Sequence, residues 1–324
     1  MNRNYMKKRL YCIVLNTIEV VCLLIGTVLI LACGRKTPDE MADFQPVSIE
    51  EVHVTIPDME GEKKIYFLSD LHLIVENDEV DEEQREFVHD RVQAFMDEGK
   101  LTVSALDVWP DWVDYLNASD ADYLLFGGDM VDFASHANVE AFGEGLHKLT
   151  IPWMYVRADH DTEPFYLAGV EKEDSVSYQN AIAPNEDVFV QDFDDFCIVG
   201  WNNSTSQLTE NGLARMKEIF ANDKPIILLT HVPIAPLVTD SLAEASAETW
   251  GDRALMWGEG CYHYPDDTTR EFLQMIYAEN TPVKEILSGH LHFTWDGMVT
   301  EQVHQHVFSP AFGEVLGVIT LSGE

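Results

Sequence analysis

The chain runs to 324 residues and carries 57 acidic against 20 basic side chains, a net charge of −37, with 46% hydrophobic residues. That hydrophobic share is ordinary for a globular protein, while so negative a surface repels nucleic acid and anionic lipid and argues against a DNA- or RNA-coating role. Five cysteines without a CxxC pair are too few for a disulfide framework or a thiolate zinc site.

Arg3, Lys7, Lys8 and Arg9 precede an apolar tract from Leu10 to Ala32 in which Glu19 is the one charged residue. At about 1.5 Å per residue, a helix of that length crosses a hydrocarbon core of about 30 Å. The basic cluster orients it with the remainder of the chain outside the cytoplasm. The tract ends Ile30-Leu31-Ala32-Cys33-Gly34, which resembles a lipoprotein cleavage box, although Leu31 is not the small residue usual there. Residues 1–34 are therefore expected to be an uncleaved membrane anchor or a lipoprotein-type signal, and both put the protein on the extracytoplasmic face of a membrane. Residues 35–46, with Pro38 and Pro46, read as a linker, and residues 47–324 as one domain.

Within that domain, short apolar runs alternate with helical patterns. Val52–Ile56 alternates with period two, and Lys64–Leu68 is a short apolar run. Glu83–Met96 sets Val88, Val92, Phe95 and Met96 on one helical face. Leu106–Leu116 reads as a helix interrupted at Pro110. Tyr123–Phe126, Trp153–Val156, Phe196–Val199 and Pro225–Leu229 are strand-like, with a helix over Thr209–Phe220. Thr268–Ala278 is helical, Val283–Leu287 is a strand, and Val303–Phe308 and Val315–Leu321 follow as strands without an intervening helix. The expected architecture is mixed α/β, with two sheets packed as a sandwich and helices outside. Cys197 lies in an apolar run and reads as core. His304 and His306 alternate on a strand and read as an exposed face. Ala235–Tyr264 reads as a long loop that could wall a pocket or be an ordinary insertion.

The informative feature is how the strands end. Leu68-Ser69 leads into Asp70-Leu71-His72, and Phe126-Gly127-Gly128 into Asp129-Met130-Val131-Asp132. Val156-Arg157-Ala158 leads into Asp159-His160-Asp161, Leu229-Thr230 into His231, and Leu287-Ser288 into Gly289-His290-Leu291-His292. Five hydrophobic runs thus end in Asp or His, and in α/β sheets ligand groups gather at the carboxyl ends of strands. Imidazoles mixed with carboxylates, without a thiolate, suit Mn, Fe or Zn.

The order D-x-H, G-D-x-x-D, D-H-D, H, G-H-x-H resembles that of the calcineurin-like metallophosphoesterases, from about Ile65 onward. The resemblance implies a two-metal site in which Asp70, His72 and His292 bind one divalent ion and Asp159, His231 and His290 the other, with Asp129 bridging. It implies His160 beside the substrate as general acid or charge stabiliser, with Asp132 orienting it. It implies hydrolysis of phosphoester bonds by a hydroxide generated at the metals. One departure stands out, because the family usually has Gly-Asn-His where this chain has Ala158-Asp159-His160. Three carboxylates against two dications leave one positive charge, where a neutral amide would leave two. Tighter metal binding, weaker Lewis acidity and a preference for monoanionic diesters over dianionic monoesters are expected. A site dulled into a non-catalytic, metal-stabilised binding module is the alternative. Arg157, in place of the usual glycine, is expected to contact phosphate or to neutralise Asp159.

Overall fold

A computed structural model describes residues 44–184, 186–202, 207–222 and 224–323. The expected anchor or signal over residues 1–34 lies outside them, as does the linker up to residue 43. No helix among the described residues is long and apolar enough to cross a membrane.

Eleven strands form two sheets among the described residues. The first has the order β1 (Ser48–Thr55), β11 (Val315–Ser322), β2 (Glu62–Leu68), β3 (Tyr123–Phe126), β4 (Trp153–Tyr155). The second has the order β5 (Val188–Asp192), β6 (Cys197–Trp201), β7 (Ile226–Thr230), β8 (Val283–Ser288), β10 (His304–Val307), β9 (Trp295–Met298). β2, β3 and β4 run parallel, as do β6, β7, β8 and β10. β11 lies between β1, to which it is parallel, and β2, to which it is antiparallel.

Both faces of the central strands are buried, which is why they read as unbroken apolar runs. The period of two then divides each strand between two cores. Ile65, Phe67, Leu125, Ile198, Ile227, Leu229 and Leu287 fill the space between the sheets. Cys197, Val199, Ile226, Leu228 and Ile286 face the other way, onto α5 (Glu210–Phe220) and α7 (Asp267–Tyr277). On the far side of the first sheet, Phe126 and Tyr155 meet Trp109 of α2 (Ala105–Ala118) and Phe142 of α3 (His136–Leu146). α1 (Arg85–Gly99) packs Val88, Val92 and Phe95 beside the loops at the carboxyl ends of the strands. The sandwich flanked by helices is the architecture expected from the sequence.

Several local expectations change. α2 runs through Pro110 without a break. Val108 and Trp109 before it and Trp112, Val113 and Leu116 after it form one buried stripe, and burying such side chains at roughly 1.5–3 kcal/mol each outweighs a proline cost of about 3 kcal/mol. α4 (Lys172–Ile182), β5 and β9 have no strong pattern of their own. The segment Ala235–Tyr264 is not one loop, since α6 (Ser241–Trp250) lies within it. His304 and His306 do not form an exposed face. His304 pairs with Glu285 and with Asp296, and His306 is buried between Asp296 and Glu50. Cys197 is buried core, and burial pushes its thiol up to about 11.

Candidate metal centre

The loops leaving β2, β3 and β4 of the first sheet and β7 and β8 of the second converge at one end of the sandwich. Backbone conformation turns the ligand side chains inward. Asp70, His72, Asp129, His290 and His292 all have positive φ, between 46° and 72°, a region that Asp and His tolerate better than most residues but that still carries strain. Two glycines make the close approach possible. Gly128 has φ +97°, and a Cβ there would meet His231 Nδ1 at 2.9 Å. A Cβ at Gly289 would lie 2.2 Å from Asp70 Oδ2 and from Ser69 Oγ.

Asp161 ties the β3 and β4 loops together. It is fully buried, and its carboxylate accepts hydrogen bonds from the backbone N–H groups of Asp129, Met130, Val131 and Ala158 at 2.8–3.2 Å. Asp70 accepts from the His290 N–H at 3.1 Å, which joins the β2 loop to the β8 loop across the two sheets. Arg157 neither reaches the cleft nor neutralises Asp159. It is buried, and its guanidinium donates to Asn180, Ala183 and Pro184 around the C-terminal end of α4.

Three overlapping clusters have their ligand atoms mutually within 4.8 Å: Asp70 with His72 and His292, His72 with Asp129 and His160, and Asp129 with His231 and His290. Asp129 Oδ2 is 3.1 Å from His231 Nε2 and 3.8 Å from His72 Nε2. His72 Nε2 and His292 Nε2 face each other at 3.3 Å, as do His290 Nδ1 and His231 Nε2 at 3.2 Å. Asp159 lines the same cleft but belongs to none of these clusters. Burial and the charge of Asp129 push its carboxyl above the usual range.

Three of the four candidate imidazoles hydrogen-bond a partner through the outer nitrogen, which fixes the tautomer. His72 gives its Nδ1–H to Asp132 at 2.9 Å, and Asp132 is in turn held by Arg91 through Nε at 2.6 Å and an Nη at 2.5 Å. His231 gives Nδ1–H to the Gly127 carbonyl at 2.9 Å. His292 Nδ1 lies 3.3 Å from Glu98, an ion-pair contact without hydrogen-bond geometry. His290 Nε2 faces His263 Nε2 at 3.4 Å. The Asp132 carboxylate therefore orients His72. His160 is held chiefly by the Asp132 backbone carbonyl, at 2.6 Å from Nδ1, with the carboxylate farther away at 3.5 Å.

The donor set fits a pair of divalent cations. Asp129 Oδ1 is buried without a hydrogen-bond partner among the described residues, an arrangement that costs free energy unless something positive lies against it. The second oxygen of the same carboxylate lies between His231 and His72, the two groups of donors that it would join. The imidazoles and carboxylates also shift one another's proton affinity. Burial disfavours a charged His231, but Asp129, Asp70 and Asp159 raise it to about 10. Asp70 and Glu98 likewise outweigh burial at His292 and raise it to about 9. Burial alone would raise Asp70, yet His231 and His292 hold it at about 2.

The centre opens into a cleft of about 520 Å³, lined among others by Arg91, Phe95, Glu98, Phe165, Tyr166, Trp250, Arg253 and Leu255. The sequence did not single out Arg91, Glu98, Phe165, Tyr166 or Arg253, because one arginine or aromatic on a helix or loop carries no spacing signal. Trp250 and His263 drew notice only by lying in the long segment after His231.

A family model described as calcineurin-like phosphoesterase matches residues 63–293. Among solved structures, the chain is similar to a dimetal phosphatase from Danio rerio, at 10% identity over 78% of this chain and 88% of that one, with a TM-score of 0.48. It is also similar to a purple acid phosphatase from yellow lupin (Lupinus luteus) seeds, at 12% identity and a TM-score of 0.47. That match covers 78% of this chain but 45% of the lupin chain. No curated protein matches.

Proposed function

The chain belongs to the calcineurin-like phosphoesterase family, and from that premise we propose that it hydrolyses phosphodiesters at a dimetal centre on the extracytoplasmic face of a membrane. The observation that carries the hydrolytic part is the chain of overlapping Asp and His clusters, from Asp70, His72 and His292 through Asp129 to His231 and His290, beside a cleft that His160 also lines. Asp70, His72 and His292 would hold one cation and His231 and His290 the other, with Asp129 between them and Asp159 beside the second. Bound there, the cations supply Lewis acidity toward the phosphoryl group and water.

The chain's own groups do the rest. His160 is fixed through Nδ1, so Nε2 is the atom free to face substrate. Burial would lower its pKa, but Asp129, Asp132 and Asp159 raise it above the usual value; its place in the cleft is what would let Nε2 serve as general acid toward the leaving oxygen. Such a general acid contributes typically about 10²–10⁴-fold. Asp159 adds negative charge where the family usually has a neutral amide, which disfavours a dianionic monoester relative to a monoanionic diester. The membrane placement rests on the basic cluster Arg3–Arg9 and the apolar tract behind it.

Purified full-length chain, freed of metal and then supplied with Mn, Fe, Zn or Ni, tests this on bis(para-nitrophenyl) phosphate beside para-nitrophenyl phosphate. Diester turnover that needs metal, stops with chelator and falls 10²–10⁴-fold in His160→Ala is the expected result. Metal uptake with no turnover would favour the non-catalytic module, and faster monoester hydrolysis would remove the diester preference. Membrane fractionation with protease accessibility of intact cells tests the location.

A further inference from the structure

The four ligand histidines are backed by different groups: His72 by a carboxylate that Arg91 also grips, His292 by Glu98, His231 by a peptide carbonyl, and His290 by another imidazole. The last case is chemically distinct. His290 points Nδ1 at His231 Nε2, 3.2 Å away, within the cluster that includes Asp129. For Nδ1 to offer a lone pair to a cation there, the ring proton must sit on Nε2. The atom facing Nε2 is His263 Nε2 at 3.4 Å, with the two rings edge to face and their centroids 5.3 Å apart. A carbonyl or carboxylate in that place can only accept, but an imidazole accepts only when its own proton is on the opposite nitrogen.

The backbone holds His263 where it stands. Its N–H donates to Met256 and its carbonyl accepts from Gly258, and its ring packs against the buried Trp257 indole at 5.3 Å. The segment that follows β7 thus reaches back to the ligand carried by β8.

We propose that His263 is a positioning residue for the second metal site, accepting the Nε2–H of His290 and so holding it as the Nδ1-ligating tautomer. The inference rests on the dimetal reading above. It assigns His263 no contact with substrate and no role at the site formed by Asp70, His72 and His292.

Metal binding is the readout. Full-length chain stripped of metal is titrated with Mn²⁺ alone, following bound metal per chain and the spin-coupled signal of a manganese pair. In His263→Ala one Mn²⁺ per chain should bind with wild-type affinity and the other about 10–100-fold more weakly, the usual cost of removing such a partner, with loss of the pair signal. His263→Gln, whose amide oxygen can accept the same N–H, should recover most of the lost affinity. Ring ¹⁵N spectra of the wild-type protein should show His290 protonated at Nε2, a measurement that does not depend on how either variant folds. Two Mn²⁺ held by His263→Ala as tightly as by wild type, equal loss at both sites, or a His290 proton on Nδ1 would each overturn the proposal. Wild-type chain that takes up no metal would instead sink the dimetal reading itself.

Discussion

At the scale of single residues, the centre is a set of compromises between burial and charge. Asp132 connects Arg91 to His72, with its carboxylate fully buried and Arg91 about three-quarters so. Asp132→Asn removes the charge that orients His72 and leaves the guanidinium without its counter-ion. A stability loss of up to about 3 kcal/mol is expected, with roughly 10–100-fold weaker binding of the first metal. Denaturant unfolding of the metal-free variant, beside a metal titration, separates the two effects, and unchanged affinity would count against the orienting role. The imidazoles make a pH prediction. His231 and His292 are raised to about 10 and about 9 from an ordinary value near 6.5. Their protonation therefore stabilises the folded metal-free protein in full below about pH 6.5, and the contribution is lost as pH rises through 9 and 10. Thermal unfolding in chelator should show a lower melting temperature at pH 10 than at pH 7; a flat or rising trend contradicts the assignment.

At the scale of elements, the legible parts were those whose side chains had one job. The parallel strands announced themselves because both faces are buried, and their Asp and His endings because the residue type changes abruptly there. α4, β5 and β9 were not legible, since each buries little and so carries a weak period. The proline in α2 was read by local propensity, while the outcome was set by Trp109 and Trp112, whose burial depends on a sheet distant in sequence. Pro110 itself is exposed, so Pro110→Ala should restore the missing N–H donor without disturbing packing. It should raise stability by about 1–3 kcal/mol, read as an upward shift of the urea midpoint. The strand-end Asp and His residues that the fold gathers were legible too, but not what stands behind them: Arg157 turned away from the site, Asp132 backs His72 where the resemblance set it against His160, and the other outer ring nitrogens face α1, a backbone carbonyl and the segment that holds α6. That segment also supplies Arg253, whose Nε donates to the Trp250 carbonyl at 2.9 Å and which has no ion pair to a described carboxylate. Arg253 lines the cleft of an acidic protein, so Arg253→Ala should raise KM for anionic substrates several-fold and leave kcat within about twofold, since binding uniform in ground and transition states moves KM alone. An equal fall in kcat would place Arg253 in the chemistry instead.

At the scale of the whole molecule, the candidate cation ligands come from both halves of the sandwich, Asp70, His72 and Asp129 from one sheet and His231, His290 and His292 from the other. A bound pair therefore fastens the sheets together where their loops meet. Metal at a thousandfold above its dissociation constant stabilises the native state by about 4 kcal/mol, so chelation should lower the melting temperature by several degrees, measured calorimetrically at fixed pH. A transition that ignores chelator would mean that the ions are held without cross-bracing the layers. The threading of the first sheet has its own outcome. β11 is a middle strand, flanked by the two earliest ones. In the folded sheet residues 315–322 fill the lane between β1 and β2, a pairing of stretches that lie far apart along the chain. Pairings of such long sequence separation form late, because the entropy of closing the loop comes before the contacts that reward it, so β1 and β2 keep unpaired edges toward each other until β11 docks.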